Sequence, residues 1–310
     1  RNIHAHYDLG DDFFASFLDP SMAYSCALFE DGAETLEEAQ RAKHRRVADL
    51  AGLQPGDHVL DLGCGWGAFA EYAAAERGCR VTGVTISRRQ LEYARRRMER
   101  AGLDDRVEIV DRDYRDLGEE RYDRVVSIEM MEAVGHRYLP DFFAACDRAL
   151  APGGRAALQV ITVPDEKYAL YRLGTDYIRR FVFPGSHLPS LGALVDAMAE
   201  RTAFQVRRVE SLAPHYAETL ARWRRRFERA HGRDGSGGER RGEGAGGLDP
   251  RLYRLWRFYL AYCEGGFRAR EIDDLQIVVA RPARSGAPAS GAAVAGERPA
   301  AGAGRREVHR

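Results

Sequence analysis

Apolar residues return along this chain in two alternating rhythms. Between residues 58 and 162, short apolar runs at 58–62, 80–85, 106–110, 122–128 and 155–162 predict strands, and 3.6-residue patterns at 67–77, 88–101 and 139–150 predict amphipathic helices. Strands alternating with helices imply parallel βαβ units, an α/β fold. Downstream, the pattern predicts a helix near 190–201, a strand over 204–211, helices over about 215–230 and 249–268, and a last strand in LQIVVARP, 275–282. Upstream, Thr35 and Glu38 form a capping box for a helix whose apolar stripe is Leu36, Ala39, Val47 and Leu50, with Gly52 as its stop. Residues 1–30 carry Tyr7, Phe13, Phe14, Phe17, Tyr24 and Phe29, and read as short helical turns packed on a larger body. A second aromatic region, Tyr168, Tyr171, Tyr177, Phe181 and Phe183, follows Pro164.

Composition adds boundaries to this pattern. At 310 residues and 45% hydrophobic content, the chain can bury one large core or two small ones. The segment 232–247 is a low-complexity insert, and 283–310 consists mostly of Ala, Gly, Pro, Ser and Arg, a composition that predicts disorder. Lys plus Arg equals Asp plus Glu at 47 each, so no overall field marks a nucleic-acid partner. Arginine is nevertheless dense at 41–46, 88–100 and 222–233, either as solvated helix faces or as contacts to an anionic surface. Cys26, Cys64, Cys79, Cys146 and Cys263 form no CxxC pair and no metal-ligand spacing with histidine, as expected of reduced thiols in a cytoplasmic protein. His4, His6, His136, His187 and His215 read as structural or surface side chains. Any membrane contact is expected to be peripheral, because no apolar run reaches eighteen residues. The first residue is Arg, as expected of a sequence lacking a natural N-terminal segment.

Chemistry concentrates in HVLDLGCGWGAFAEYAA, 58–74, where a strand carrying Asp61 runs into Gly63, Gly65 and Gly67 and then a helix. Such a turn presents backbone N–H groups and the positive helix end to a ligand, with glycine permitting close approach. Dinucleotides favour G-x-G-x-x-G and an acid about 20 residues on. Here the spacing is G-x-G-x-G, and the second strand ends in VTGVTIS without an acid. S-adenosylmethionine fits better, since it has no phosphate and its amino acid end can be met by an acid and backbone groups. Ser87 and Gln90 read as a second capping box, with Gln90 placed to reach over the cofactor's ribose. Asp113 or Tyr114, after the third strand, would flank the adenine.

Taken together, HYDLGDDFFASFLDPSMAYSCALFE (6–30), LEEAQ (36–40), VLDLGCGWGAFA (59–70), GVTIS (83–87), DYRDL (113–117), SIEMMEAVGH (127–136), FPGSHLPSL (183–191), PHYAETLARW (214–223) and LAYCEGGFR (260–268) closely resemble the cyclopropane-fatty-acyl-phospholipid synthase and mycolic acid cyclopropane synthase family. The resemblance runs from about 4 to 282. It implies a Rossmann-like, class I S-adenosylmethionine-dependent methyltransferase with a seven-stranded, mostly parallel sheet. A cap segment at 1–56 and insertions at 163–203 and 212–270 would then form an acyl-chain pocket over the cofactor. Such enzymes methylate a cis double bond of an acyl chain. The cation left behind requires a dry, ring-lined chamber.

In the resembled family a bound bicarbonate removes the proton. Carried over, its holders are Glu132, Tyr216 and the backbone at Cys26 and Ile161, with Glu129 as the alternative acid. Binding an anion beside Glu132 requires a proton on one partner, which burial would favour. Where the family often has histidine, this chain has Gln159, which can bind an anion but cannot take its proton. That departure leaves two outcomes open, a cyclopropane or a methylene or methyl branch. Cys263 matches an active-site cysteine of the mycolic branch and reads equally as a packing residue. Around the cofactor the resemblance places Tyr24, Ser25, Asp61, Gly63, Gly65, Gly67, Thr85, Ile86, Gln90 and Tyr114. Its implied partners are unsaturated phospholipid acyl chains at the inner face of the membrane, with a dimer possible and no nucleic acid. Two rivals remain: a methyltransferase for a small N, O or S nucleophile, and a lipid-binding protein that kept the sheet and lost the chemistry.

Overall fold

The computed structural model describes residues 9–32, 34–232 and 248–282. Residues 233–247 and 283–310, read above as a low-complexity insert and a disordered tail, lie outside the described residues, as do His4 and His6.

Seven strands form one sheet in the order β3-β2-β1-β4-β5-β7-β6. They are β1 (His58–Leu62), β2 (Arg80–Thr85), β3 (Val107–Asp111), β4 (Tyr122–Ile128), β5 (Leu150–Thr162), β6 (Gln205–Ser211) and β7 (Asp273–Ala280). The first five pair in parallel, whereas β7 runs antiparallel between β5 and β6. The helices are α1 (Asp11–Ala15), α2 (Leu36–Ala51), α3 (Ala68–Arg77), α4 (Arg88–Ala101), α5 (Leu139–Ala149), α6 (Asp165–Leu173), α7 (Leu191–Arg201), α8 (Ala213–His231) and α9 (Pro250–Arg268).

Because the inner strands are covered on both faces, they are apolar almost throughout, as parallel strands must be. On one face Val59, Val81, Val126 and Val278 pack with Ala48, Phe69, Ala73 and Ala94 from α2, α3 and α4. On the other, Leu60, Val125, Leu158 and Ile277 pack with Phe142, Phe143, Leu194 and Met198 from α5 and α7. A third core is aromatic: Phe13, Phe14, Phe17, Trp66, Trp223, Phe227 and Trp256 tie the N-terminal segment to α8 and α9. The aromatic N-terminal stretch is therefore the roof of this core. Phe14 sits 5.0 Å from Trp66 and Phe13 4.7 Å from Trp256, ring centre to ring centre.

Local signals act largely as read. Thr35 and Glu38 make both capping-box bonds, and Gly52 closes α2 with φ 70°. At Ser87 only half the box forms: its side chain accepts from Gln90 N, while the Gln90 side chain turns to Thr85 Oγ1 at 3.1 Å. Two elements after Pro164 were not foreseen, α6 and a π-helical turn at Ile178–Val182. Leu170 and Leu173 on α6 and Phe181 on the turn are exposed, so no buried 3.6-residue stripe announces these elements. Among the described residues no helix is long and apolar enough to cross a membrane.

Candidate active site

Two cavities meet beneath the aromatic roof, at the C-terminal ends of the parallel strands. The first, of about 410 Å³, is lined by Asp61, Gly63 and Gly65 after β1, by Thr85, Ile86 and Gln90 after β2, and by Tyr114 after β3. Tyr24, Ser25 and Lys43 close it from above. The second, of about 1110 Å³, lies under α6, α8 and α9 and is lined by Ile161, Tyr216, Leu220, Tyr259, Cys263 and Phe267 among others. Tyr24, Glu129 and Ala133 line both, so they form the junction.

The glycines after β1 divide their work. Gly63 N–H and Cys64 N–H both donate to Val84 O, at 2.9 and 3.0 Å, which bends the chain off the strand. Gly65, at φ 56°, has no atom within 4 Å of where a Cβ would stand and borders the first cavity. Gly67 differs from expectation, because it is not in the cavity wall. It begins α3 at φ 83°, and a Cβ there would stand 3.1 Å from Ala94 Cβ, so this glycine serves helix packing.

Buried charge fits an amino acid ligand in the first cavity. Asp61 is buried with Oδ2 unpartnered, and burial pushes its carboxyl up to about 7. An orphan carboxylate oxygen beside a glycine turn suits the ammonium of a cofactor's amino acid end. At the far end, Thr85 Oγ1 bonds Gln90 and accepts from Ser87 N–H at 3.1 Å. Tyr114 forms a wall there, edge-on to Phe142 at 5.6 Å.

At the junction the structure redistributes the expected anion site. Tyr216 Oη donates to Glu129 Oε2 at 2.5 Å, and Cys26 N–H and Gln159 Nε2 donate to Glu129 Oε1 at 2.7 and 2.9 Å. Three contacts assigned to bicarbonate thus converge on a side chain of this protein. Glu132 takes the fourth: its Oε1 accepts Ile161 N–H at 2.6 Å, and its Oε2 is buried without a partner. Tyr216 therefore belongs to Glu129 and not to Glu132. Glu129 stands in the left-handed region at φ 49°, rare for a non-glycine and costing about 1–2 kcal/mol. Its N–H donates to Gln159 O at 2.8 Å, which holds that geometry.

Gln159 lies behind the cavity wall rather than in it. Its Nε2 bridges Glu129 and Asp274, 2.9 Å from each, and its Oε1 accepts from Gln276 Nε2 at 3.1 Å. One amide nitrogen with two hydrogens serves two carboxyls, a task for which imidazole lacks the geometry. Cys26 likewise contributes its backbone; its thiol is fully buried against Ala27 O and pushed well up by burial. Cys263 lines the large cavity, with its thiol also raised by burial.

Protonation follows from donor counting. Glu129 receives three donors and so is the ionised member, even though burial pushes its pKa up. Glu132 is raised to about 8 by burial and by the Glu129 charge, the direction expected of a proton-bearing partner. Asp274, fully buried with Oδ1 unpartnered, is raised well above the carboxylate range by burial and by Glu129. Lys43, also fully buried, donates to Ser25 Oγ at 2.7 Å; burial lowers its pKa, and Glu129, Cys26, Asp19 and Asp274 oppose that. One carboxylate and one ammonium balance.

Sequence reasoning missed Lys43, Asp274 and Gln276, and ranked Glu129 second. For Lys43 a signal existed: it falls between Ala39 and Val47 on the apolar stripe of α2, inside a run read as solvated arginine and lysine. Of the histidines singled out from sequence, the three among the described residues make structural bonds. His136 Nδ1 and His187 Nε2 flank Tyr168 Oη at 2.7 and 2.9 Å, and His215 Nδ1 accepts from Phe29 N–H at 3.3 Å.

This sheet order, with its reversed seventh strand and a glycine turn after β1 facing an orphan acid, defines a Rossmann-like methyltransferase of the S-adenosylmethionine-dependent class. The family model described as mycolic acid cyclopropane synthetase matches residues 1–277, and the chain belongs to that family. It is 43% identical over 288 residues to the tuberculostearic acid methyltransferase UfaA1 of Mycobacterium tuberculosis, covering 91% of this chain and 65% of that relative. To the cyclopropane-fatty-acyl-phospholipid synthase of Escherichia coli K12 it is 39% identical over 282 residues, 91% of this chain and 68% of the relative. The chain thus spans about two thirds of the length of these relatives. Among solved structures, mycolic acid cyclopropane synthase CmaA1 complexed with SAH and CTAB superposes with TM-score 0.78 at 33% identity, covering 90% of this chain and 96% of that one.

Proposed function

We propose that this chain methylates the cis double bond of an unsaturated lipid acyl chain, with Glu129 as the base that completes the reaction. The observation carrying this reading is that the Glu129 carboxylate lines both cavities while holding Tyr216, Cys26 N–H and Gln159. S-adenosylmethionine, when bound, supplies an electrophilic methyl. Asp61 and the glycine turn would hold its amino acid end, and Thr85, Gln90 and Tyr114 its nucleoside end.

The large cavity suits the other reactant. Its inner wall of Ile161, Leu220, Tyr259 and Phe267 would keep water from the reacting carbons once an acyl chain fills it, and ring faces would stabilise a cation developing on the chain. When the alkene carbon bonds the methyl carbon and the S–CH3 bond breaks, the neighbouring alkene carbon is left cationic. Glu129 then takes a proton. Loss of that proton from the new methyl group closes a cyclopropane; if a 1,2-hydride shift first moves the cation to the methyl-bearing carbon, loss of a proton from the same methyl group leaves a methylene branch. Conversion of a methylene to a methyl branch needs a separate reductant. Tyr216 holds Glu129 at the junction and Glu132, neutral, keeps the site at one negative charge. Bicarbonate is not needed in this scheme, because a side chain occupies its contacts. A methylene product is a second reading, favoured by the amide-bound carboxylate at Gln159 and by the 43% identity to the tuberculostearic acid methyltransferase.

Lipids from cells expressing the chain test this directly. A gain of one CH2 with upfield ring protons identifies cyclopropane, and vinylidene protons identify the methylene product. Unaltered acyl chains, with cofactor binding intact, would favour the lipid-binding rival. Methylation of small amines or thiols alone would favour the small-nucleophile rival.

A further inference from the structure

An acyl chain must leave a bilayer to enter the large cavity, and the cavity mouth differs in character from the rest of the surface. Around it stand Leu170, Leu173, Phe181 and Phe258, at 77%, 85%, 55% and 51% exposure. Leu170 and Tyr262 also line the cavity, so the exposed apolar surface runs into the wall without interruption. The collar is one structure. Tyr177 packs on Phe258 at 4.6 Å and on Phe181 at 5.5 Å, joining the π-helical turn to α9. Arg179 Nη1 donates to Tyr171 O and Gly174 O at 3.0 and 2.6 Å, joining that turn to the end of α6.

Asp176 and Glu271 also line this mouth, Glu271 paired with Lys167, but two arginines at the collar add positive charge that no acid among the described residues takes up. Arg180 lies 5.5 Å from the Phe181 ring centre and Arg172 5.9 Å from that of Tyr168, and neither forms an ion pair among the described residues. The arginine runs singled out from sequence differ. Arg41 pairs with Glu76, Arg45 with Glu30, Arg46 with Glu210, Arg97 with Glu71, Arg222 and Arg225 with Glu218, and Arg224 with Glu264. The faces at 41–46 and 222–233 are thus largely neutralised. Arg89, Arg96 and Arg100 on α4 form no ion pair among the described residues, but no exposed leucine or phenylalanine stands on that helix beside them.

We infer that the collar formed by α6, the π-helical turn and α9 is a docking surface for an anionic lipid bilayer, delivering acyl chains straight into the cavity. Exposed leucine and phenylalanine beside unpaired arginine match the boundary between acyl chains and anionic headgroups. This inference rests on the acyl-chain reading of the cavity.

The test uses the full chain and vesicles of phosphatidylcholine with and without phosphatidylglycerol, in flotation assays at low and high salt. The chain should float with anionic vesicles, and less so at high salt. The double variants L173E/F181E and R172E/R180E should each weaken that binding at least tenfold. Both should methylate a short, detergent-dispersed unsaturated acyl substrate within twofold of the parent. Undiminished vesicle binding in both variants overturns the inference, as does loss caused instead by reversing Arg41 and Arg45. A change in oligomeric state by light scattering, with vesicle binding unchanged, assigns the collar to a second copy and also overturns it. Should the parent fail to methylate any acyl substrate while the variants still lose vesicle binding, the acyl reading fails and the docking surface stands.

Discussion

Tyr216 donates its phenolic proton to Glu129 Oε2 across 2.5 Å, and so α8 and the turn after β4 are fastened at the point where the two cavities meet. The bond joins residues 87 positions apart in sequence. In the proposed reaction it also fixes which acid faces the acyl chain, because a carboxylate held by three donors has its orientation settled before substrate arrives.

Replacing Glu129 by Gln removes the proposed base while keeping shape. Turnover is expected to fall at least about 100-fold, the usual contribution of a positioned base. Cofactor affinity, measured by calorimetry, should change little by comparison. Glu129→Gly vacates the cradle of Cys26 N–H, Tyr216 and Gln159, and added bicarbonate should then restore part of the activity, whereas the parent should not respond to it. Activity of Glu129→Gln within twofold of the parent rules out the assigned role.

Glu132 ties stability to pH in a definite direction. Its carboxyl titrates near 4.5 in the unfolded chain and at about 8 in the folded one, so the folded state binds the extra proton between those values. Stability therefore falls as pH rises through that window, by up to about 1.4 kcal/mol per pH unit for this group. Asp61, Glu129 and Asp274 are shifted in the same direction and add to the slope. Glu132→Gln should flatten the slope, seen in urea midpoints from pH 5 to 8.5. Parallel curves for the two proteins count against a buried proton on Glu132.

Much of this was written in local pattern. The inner strands announce themselves because burial on both faces demands unbroken apolar runs, and α2 because Thr35 and Glu38 cap it. The glycine turn was legible since only glycine takes φ values such as 80° at Gly63 without penalty. What escaped notice depends on distant partners. Whether Glu129 or Glu132 receives Tyr216 turns on a backbone angle at Glu129 and on the approach of α8, neither encoded by spacing. Asp274 and Gln276 read as a polar end of an ordinary strand, and only the register of β7 against β5, with Gln159 opposite Gln276, makes them part of the site. The collar arginines were overlooked for the opposite reason: the dense runs elsewhere were conspicuous, whereas Arg172 and Arg180 stand singly and gain meaning only beside the exposed Leu173 and Phe181.

Gln159 is a further point where the chain departs from the resembled pattern, and its surroundings explain the departure. Gln159→His would leave Asp274 Oδ2 without its donor or take one of three from Glu129, and would leave Gln276 Nε2 without its acceptor. A loss of about 1–3 kcal/mol in stability is expected for an unsatisfied buried group. Adding Gln276→Leu should lessen that cost by removing one orphan. Thermal unfolding of the single and double variants measures both effects, and a Gln159→His protein as stable as the parent refutes the bridging role.

Lys43 is the counter-charge for Glu129 and can be tested through the pH profile. Its ammonium is fully buried beside Ser25 Oγ, and it holds the pKa values of Glu129 and Asp274 down against burial. In Lys43→Met the Glu129 carboxyl loses that attraction, so more of it is protonated at a given pH and the acidic limb of the rate profile should move to higher pH. A purely structural lysine gives a different result, lower activity with the limb in place. Lys43→Arg keeps the charge, and where it folds it should keep the limb near that of the parent. Some loss of stability in Lys43→Met is expected from repacking around Ser25, and the position of the limb reads the electrostatic role independently of the amount of folded protein.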